Sequence, residues 1–354
     1  MGAHELSARE AALAPPRAYG APIASGVLRA EAEDFVVEEE LGFEPAGSGA
    51  HLLLKVRKRN ANTRWVAREL TRLAGCRPAD AGYAGLKDRR AVAVQWFSVP
   101  RPRAAVDWRE PRGGEFEVLE VHEHTRKLPR GALAGNRFAV RIRAPRGDGG
   151  ELGERLAPRL AAIAQRGVPN YFGAQRFGRD GSNLQRLGTP LQRLPRDQRG
   201  FVLSAARSVI FNALLAARVT EGSWERLRRG DLANLEGRGS IFPVATVDGE
   251  LLERCRRLEI HPSGPLWGEG DPASVAEVLE LESTVAERYP DAAAACVAAG
   301  MVQERRSLRV AVRELRCEEE AQAVRIHFRL ARGCFATAVL AELIESGGAM
   351  PEGD

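Results

Sequence analysis

The sequence predicts an α+β protein in which a helix-rich block is inserted into a domain built on antiparallel strands. Apolar and polar residues alternate with period two in 136–143, 307–315 and 323–330, which is typical of half-buried antiparallel strands. The middle of the chain differs, because 201–219 and 274–290 place apolar residues at helical spacing. At 354 residues the chain is long enough for two domains, each with its own core.

The domain boundaries follow from where the strand-rich and helix-rich parts meet. We expect residues 21–167 and 306–354 to form one domain, and residues 168–305 to form the inserted one. Residues 1–20 contain many Ala and Pro residues and are expected to be a flexible lead-in.

The first ordered elements are predicted from local signals. Phe35, Val36 and Val37 indicate a strand, and residues 51–59 indicate another that turns abruptly basic. A helix is expected over 64–74, because Asn62–Thr63 offers a side-chain cap and a glycine follows at position 75. For the later helices we expect Ser204 to be an N-cap and the segment 274–290 to end before Pro290.

The polar faces of the alternating strands carry many arginines. They are Arg137, Arg141, Arg143, Arg309, Arg313, Arg325 and Arg329. Such rows suit a surface that follows RNA phosphates, but they are equally typical of strand faces that bind nothing.

Composition excludes several classes of protein. The net charge is +5 and the pI about 9.2, which favours an anionic partner only mildly. The five cysteines are scattered without a CxxC pair, and His122 and His124 form a solvent-facing pair with no third ligand, so no metal site is predicted. With no signal peptide and no apolar run of 18 residues, the chain is expected to be cytoplasmic and not to interact with a membrane.

The segment 81–99 is the best candidate for chemistry. It predicts a loop between two strands, in which Asp88 lies beside Lys87, Arg89 and Arg90. Neighbouring cations favour the ionised carboxylate, which can act as a nucleophile or a base. Taken alone, the KDR tripeptide is better explained as a surface turn with a local ion pair. No P-loop, dinucleotide fingerprint, HExxH or GxSxG motif competes with it, so no metal and no nucleotide cofactor is predicted.

AGLKDRRAVAVQW, at 84–96, resembles the signature of the tRNA pseudouridine synthase D (TruD) family, in which the aspartate after Gly-x-Lys is the nucleophile. Further segments resemble the family in the same order along the chain. They are 33–67, HTRKLPRGALAGNRF at 124–138, GVPNYFGAQRFGRDGSNLQ at 167–185, SAARSVIFN at 204–212, GRGSIF at 237–242 and GCFATAVLAELI at 333–344. The resemblance therefore covers nearly the whole chain.

The resemblance implies a role for each matching residue. Asp88 would be the nucleophile, supported by Lys87, and Asn136 would orient it by a hydrogen bond. Arg29 would be its charge partner, at a position where the family usually has lysine. The substrate-binding residues would be Phe35, Asn136, Phe138 and Phe335, with Phe138 stacking on the uracil. A second departure from the family is Ala93–Val94, where Val-Thr is common.

The resemblance also implies a fold and an activity. The fold would be a V-shaped molecule with a pseudouridine-synthase-like catalytic domain, built on a mixed or antiparallel sheet, and an inserted α/β domain. The activity would be conversion of uridine, at position 13 of tRNA, to pseudouridine by a monomer without cofactor. The sequence leaves open whether Asp88 attacks C1′ or C6 or removes the C2′ proton. A non-catalytic RNA-binding protein and a nuclease are the alternatives, and the intact Asp88, Asn136 and Phe138 count against the first.

Overall fold

The structure is a computed structural model and describes residues 7–108, 114–146 and 151–346. The strands are β1 (Ala24–Leu28), β2 (Phe35–Glu40), β3 (His51–Arg59), β4 (Gly82–Tyr83), β5 (Val92–Pro100), β6 (Phe116–His124), β7 (Gly135–Arg146), β8 (Val168–Pro169), β9 (Leu232–Leu235), β10 (Ile241–Pro243), β11 (Ile260–Leu266), β12 (Glu304–Ser307), β13 (Arg309–Val310), β14 (Arg313–Glu320), β15 (Ala323–Ala331) and β16 (Ile344–Ser346).

The helices are α1 (Ala8–Leu13), α2 (Thr63–Ala74), α3 (Leu152–Arg166), α4 (Ser182–Gln185), α5 (Arg196–Thr220), α6 (Gly249–Arg256), α7 (Ala276–Glu287), α8 (Pro290–Ala298) and α9 (Ala336–Leu343). Short 3-10 turns lie at Ala32–Asp34, Pro78–Asp80, Ala174–Phe177, Arg179–Gly181, Arg186–Gly188 and Leu191–Arg193.

The described chain divides into two compact units. The sheet unit comprises residues 23–108, 114–146, 151–157, 313–333 and 344–346, and the helical unit comprises residues 7–22, 158–312 and 334–343. These divisions lie several residues away from the predicted boundaries. Residues 306–312 and 334–343, which we expected in the sheet domain, pack within the helical unit.

The sheet unit is built on one mixed sheet. Its strands follow the order β14-β15-β7-β2-β5-β3-β6, with β1 joined to β7 and β16, and β4 joined to β5. Pairing is antiparallel except between β1 and β16 and between β2 and β5. The α+β prediction is confirmed, as are the strands predicted at 51–59, 136–143 and 323–330.

Helix α2 covers one face of this sheet, as its apolar spacing predicts. Val66 and Leu70 are fully buried against Leu54 and Phe97 of the sheet. The predicted cap is confirmed, because Asn62 Oδ1 accepts the Arg64 N–H at 2.8 Å. The helix ends at residue 75, a glycine in the left-handed conformation (φ 66°).

The helical unit is organised around α5. This helix is buried along most of its length and packs against α1, α7 and α8. It is long and apolar enough to cross a bilayer by length and composition alone, but 67% of its most apolar window is buried inside the protein, as in a core helix. A second sheet, with the order β10-β9-β11-β12, lies in the same unit.

The expectation of a loose lead-in is wrong for the described part of 1–20. Residues 8–13 form helix α1, which begins with a capping box between Ser7 and Glu10. Ala11 and Ala12 are buried in the core of the helical unit, and Asn212 Nδ2 donates to Ala11 O at 3.1 Å. Small side chains let this short helix approach α5 closely, which a count of Ala and Pro cannot reveal.

Three local predictions are also wrong. Helix α5 begins at Arg196, so Ser204 is internal and caps nothing. The segment 307–315 is divided among β12, β13 and β14, because Arg309 is buried and does not lie on a solvent face. His124 is buried as well and stacks on Phe43 with 5.2 Å between ring centroids, and burial lowers the pKa of His124. Only His122 of the pair faces solvent.

Candidate active site

The loop of residues 84–91 joins β4 to β5 and contains the predicted nucleophile. Two buried side chains fix its backbone: Gln95 Nε2 donates to Gly85 O at 2.7 Å, and Thr63 Oγ1 accepts the Lys87 N–H at 3.1 Å. The loop therefore has a defined conformation, although it lies beyond the ends of the strands.

A buried lysine holds the same loop from the sheet side. Lys58 is fully buried, and its Nζ donates to Asp88 O at 2.9 Å and to Ala61 O at 2.7 Å. The Lys87 carbonyl lies 3.4 Å from the same nitrogen. A desolvated ammonium is stable only where acceptors meet its three donors, so these carbonyls and Lys58 hold one another in place.

Asp88 and Arg29 form the ion pair that the resemblance implies. Arg29 Nη2 lies 2.7 Å from Asp88 Oδ2, with the arginine side chain 8% exposed and the aspartate 35%. Arg29 directly follows β1 and has a left-handed backbone (φ 56°), which is uncommon for a residue with a long side chain. Its guanidinium lies 4.0 Å from the centroid of the Phe35 ring.

The parallel pairing of β2 and β5 explains why these residues meet. Val36 pairs with Val92 in parallel, so β2 and β5 begin at the same end of the sheet. The loop before β5 and Phe35 at the start of β2 are therefore neighbours. Residues of five adjacent strands share one row on this face of the sheet; they are Lys58, Ala93, Val37, Phe138 and Phe328.

An aromatic group continues from Arg29 into the sheet. The edge of Phe35 meets Phe138 with 5.9 Å between ring centroids, and Phe138 stacks on Phe328 at 5.2 Å. All three rings are at least nine-tenths buried. One face of Phe138 is thus occupied by Phe328, and stacking of Phe138 on a uracil stays a prediction.

Lys87 is directed away from the Arg29–Asp88 pair. Its Nζ lies 2.5 Å from Glu39 Oε1, and Glu39 Oε2 accepts the Trp96 N–H at 2.9 Å. Glu39 is almost completely buried, so this is a desolvated ion pair that ties the loop to β2 and β5. Adjacent residues of the loop therefore carry two ion pairs, one internal and one at the candidate site.

Within the described residues Asn136 is not hydrogen-bonded to Asp88, and Phe335 lies in the helical unit. Asn136 is buried opposite Glu39 on the neighbouring strand, and no hydrogen bond of the described residues joins it to Asp88. Its Oδ1 is buried without a hydrogen-bond partner among those residues. Phe335 belongs to the helical unit, where its ring lies 6.3 Å from that of Phe172. The orienting role of Asn136 and the substrate contact of Phe335 remain predictions.

The outward arginines of the sheet unit are largely paired with carboxylates. These pairs are Arg137 with Glu40 and Glu314, Arg141 and Arg325 with Glu320, Arg143 with Glu31 and Asp34, and Arg329 with Glu40. Burial opposes ionisation of Glu40, but the hydrogen bonds from Arg329 and Arg137 outweigh it and lower the pKa of Glu40. The carboxylates stay charged, which weakens the case for a phosphate-following surface here.

Sequence reasoning missed Lys58, Glu39 and Phe328. A signal was present for the first two, because the alternation through Val56 and Val37 places Lys58 and Glu39 on the apolar faces of their strands. Phe328 differs, since only the pairing of β15 with β7 brings it against Phe138. Within the described residues, no group of three His, Cys, Asp or Glu side chains is placed to hold a metal ion.

Comparison with known proteins connects this geometry to a family. The family model described as tRNA pseudouridine synthase D (TruD) matches residues 17–191 and 185–343. The protein named tRNA pseudouridine synthase D from Methylococcus capsulatus is 44% identical over 338 residues, covering 93% of this chain and 94% of that protein. A protein of the same name from Xanthomonas euvesicatoria is 44% identical over 349 residues, with the same coverage.

A solved structure has the same fold. The putative tRNA pseudouridine synthase D (TruD) from Methanosarcina mazei aligns with a TM-score of 0.68, covering 94% of this chain and 96% of the other. The two sequences are 20% identical, so the likeness concerns the fold alone.

Proposed function

The chain belongs to the tRNA pseudouridine synthase D family, and we propose that it uses Asp88 to isomerise the uridine at position 13. The isomerisation of uridine to pseudouridine in tRNA is the activity of the family. The assignment of Asp88 is supported chiefly by one observation, its 2.7 Å ion pair with the largely buried Arg29 beside the Phe35 ring.

The geometry leaves one carboxylate oxygen for chemistry. Arg29 engages Oδ2, whereas Oδ1 takes part in no hydrogen bond among the described residues. Lys58 holds the backbone of the same residue, so the carboxylate is presented from a fixed point. Asp88 can then attack C1′ or C6, or remove the C2′ proton, when the base has turned out of the RNA stack.

Tritium release tests this assignment. On tRNA labelled with 5-³H-uridine, C5 loses its tritium when the new C–C bond forms, so release reports pseudouridine formation. We expect Asp88→Asn to lower release by on the order of a thousandfold, because the nucleophile is lost while the shape is kept. Asp80→Asn is the matched control, since Asp80 pairs with Arg77 on the surface of the same unit. Release by Asp88→Asn at the control rate would remove Asp88 from this role.

The position in tRNA needs a separate experiment. A transcript with cytidine at position 13 should release no tritium from its other uridines, whereas the unchanged transcript should. Release from both transcripts would contradict the assignment of position 13 and leave that of Asp88 intact.

The remaining parts of the proposal concern the state of the protein. We propose that it acts as a cytoplasmic monomer without a metal or nucleotide cofactor. Activity should therefore survive dialysis against EDTA, and light scattering after gel filtration should give a mass near 38.5 kDa. Loss of activity that added metal restores, or a mass of twice that value, would contradict these parts.

A further inference from the structure

Two arginines and several aromatic rings meet in the helical unit, and of these residues Phe335 alone was given a role above. Arg306 and Arg176 flank the ring of Phe172, with their guanidinium carbons 4.3 Å and 5.3 Å from its centroid. The guanidinium of Arg306 also lies 5.7 Å from the centroid of Phe335. We call these four residues the arginine–aromatic cluster.

Distant parts of the chain supply the cluster. Phe172 follows β8, Arg176 lies in the 3-10 turn Ala174–Phe177, Arg306 is on β12 and Phe335 precedes α9. Arg176, Arg306 and Phe335 all keep part of their surface exposed. The cluster is thus accessible from solvent, although the rings and strands around it remove much of the water.

Each guanidinium is oriented by a hydrogen bond to a neutral group. Arg306 Nη2 donates to Asn170 Oδ1 at 2.6 Å, and Arg176 Nη1 donates to Ser204 Oγ at 2.9 Å. Both bonds help to position the side chains, and neither Asn170 nor Ser204 carries a charge. Asn170 also donates to Ser307 O at 2.7 Å, which fixes it against the strand that carries Arg306.

The electrostatic situation of the cluster favours an anion. Burial lowers the pKa of Arg306 to about 10, and the charge of Arg176 contributes to that shift. Burial also lowers the pKa of Arg176. The neighbouring thiol supplies no negative charge at neutral pH, because burial raises the pKa of Cys334 to about 12. Two like charges are therefore partly withdrawn from water side by side, which an arriving anion would relieve.

We propose that Arg176 and Arg306 form a binding site for a phosphodiester group of the substrate RNA. The guanidinium fork matches phosphate oxygens in pairs, which an ammonium cannot do. The partly exposed Phe335 provides aromatic surface on which an unstacked base beside that phosphate can lie, and the buried Phe172 holds the two guanidinium groups. The identity of the RNA as tRNA rests on the proposed function, whereas the phosphate site rests on the cluster.

Binding as a function of salt concentration tests the proposal. Dissociation constants for an unmodified tRNA transcript are measured for full-length Arg176→Gln and Arg306→Gln in the Asp88→Asn background. Each variant should weaken binding about threefold to tenfold and lower the slope of log K against log salt by about one, as when one phosphate contact is lost. Arg256→Gln is the control, because it removes one charge from an exposed ion pair with Glu253 in the same unit. Values equal to those of the control would overturn the proposal.

A conservative variant and a second ligand distinguish a phosphodiester site from a site for small anions. Arg306→Lys keeps the charge but not the fork, so it should retain the salt slope while binding tRNA more weakly than the parent. It replaces Arg306→Gln if the latter fails to fold in a thermal melt. Inorganic phosphate should compete with tRNA for the parent protein, Asp88→Asn. It should not compete when Arg176→Gln and Arg306→Gln are combined in that background. If inorganic phosphate binds the parent protein but does not compete with tRNA, the cluster is a site for small anions and the proposed RNA site is contradicted.

The readout is independent of catalysis. If the wild type releases no tritium from tRNA yet both Gln variants bind tRNA more weakly, the activity assignment fails and the phosphate site stands. If the wild type is active and the Gln variants bind like the control, the phosphate site fails alone.

Discussion

At the scale of single residues, Asp88 is held by two cations that act on different parts of it. Lys58 reaches the backbone carbonyl and Arg29 reaches the carboxylate. The charge of Lys58 is buried and that of Arg29 nearly so. The position and the orientation of Asp88 are thereby set by separate contacts, and each contact can be altered without removing the other.

Replacing Lys58 by Met should slow the chemical step without weakening RNA binding. The variant fills the same space but releases the carbonyl of Asp88, and a displacement of the order of 1 Å can cost about a hundredfold in rate. Single-turnover rates and tRNA dissociation constants are compared, and Lys58→Arg should recover part of the rate. Lys55→Met is the control on the same strand, since Lys55 is on the opposite face and pairs with Glu38 and Glu120. Equal rates for the two Met variants would contradict the positioning role.

Replacing Lys87 by Met should act mainly on stability. It leaves Glu39 buried without its cation, which typically costs about 3–5 kcal/mol. Adding Glu39→Gln should recover a large part of that loss, because the unpaired charge is then absent. Urea denaturation of the two single variants and the double variant gives the coupling energy, and additive effects would argue against a functional ion pair.

The candidate site could be predicted only in part from its residues. Asp88, Arg29 and Phe35 were assigned by resemblance, and the structure places them in contact. Lys87 was assigned to the site by the same reasoning but pairs internally, because adjacent residues of an extended loop face opposite sides. Lys58 was missed because the carbonyls of Lys87 and Asp88, which it binds, come from the distant loop between β4 and β5.

At the scale of elements, strands were easier to predict than their partners. Alternation identified β7 and β15 and the face that each buries. It carries no information on which strands pair, and the parallel contact of β2 with β5 was therefore not predicted. The pairing of β2 with β5 assembles the candidate site, because it brings Phe35 beside the loop that contains Asp88.

The docking of α1 gives a prediction at this scale. Ala11 is fully buried, so Ala11→Leu should destabilise the helical unit by about 1–3 kcal/mol through overpacking. Arg9→Leu places the same side chain on the exposed face of the helix and should change stability by less than about 0.5 kcal/mol. Chemical denaturation compares the two. Equal changes in the free energy of unfolding for the two variants would contradict the packing of α1 and favour the flexible lead-in that composition suggested.

At the scale of the whole molecule, the two units share the end of the chain. Helix α9 places Val339, Leu340 and Leu343 in the helical unit, and β16 then pairs with β1 of the sheet unit. Sequence patterns predicted a sheet domain made of two chain segments, but they could not show that α9 and β16 belong to different units. Short segments such as 334–343 carry too little periodicity to reveal which core they complete.

Truncation after residue 333 should therefore weaken both units at once. The helical unit loses the six buried side chains of α9, and the sheet unit loses β16, which pairs with β1. Hydrogen exchange followed by mass spectrometry should show faster exchange in β1 and in α5 of the truncated chain. Leu343→Ala is the comparison, because a cavity of this kind costs about 2–5 kcal/mol and should affect α5 more than β1. Unchanged exchange in β1 after truncation would contradict the shared ending.

The shared ending has a consequence for biosynthesis. A ribosome delivers residues in order, and domains commonly fold as they emerge. Here the last described segment, 334–346, carries the closing helix of one unit and an edge strand of the other. Neither unit can reach its final packing until residue 346 has been synthesised, so the nascent chain should remain bound to chaperones for longer than a chain of two consecutive domains of the same size.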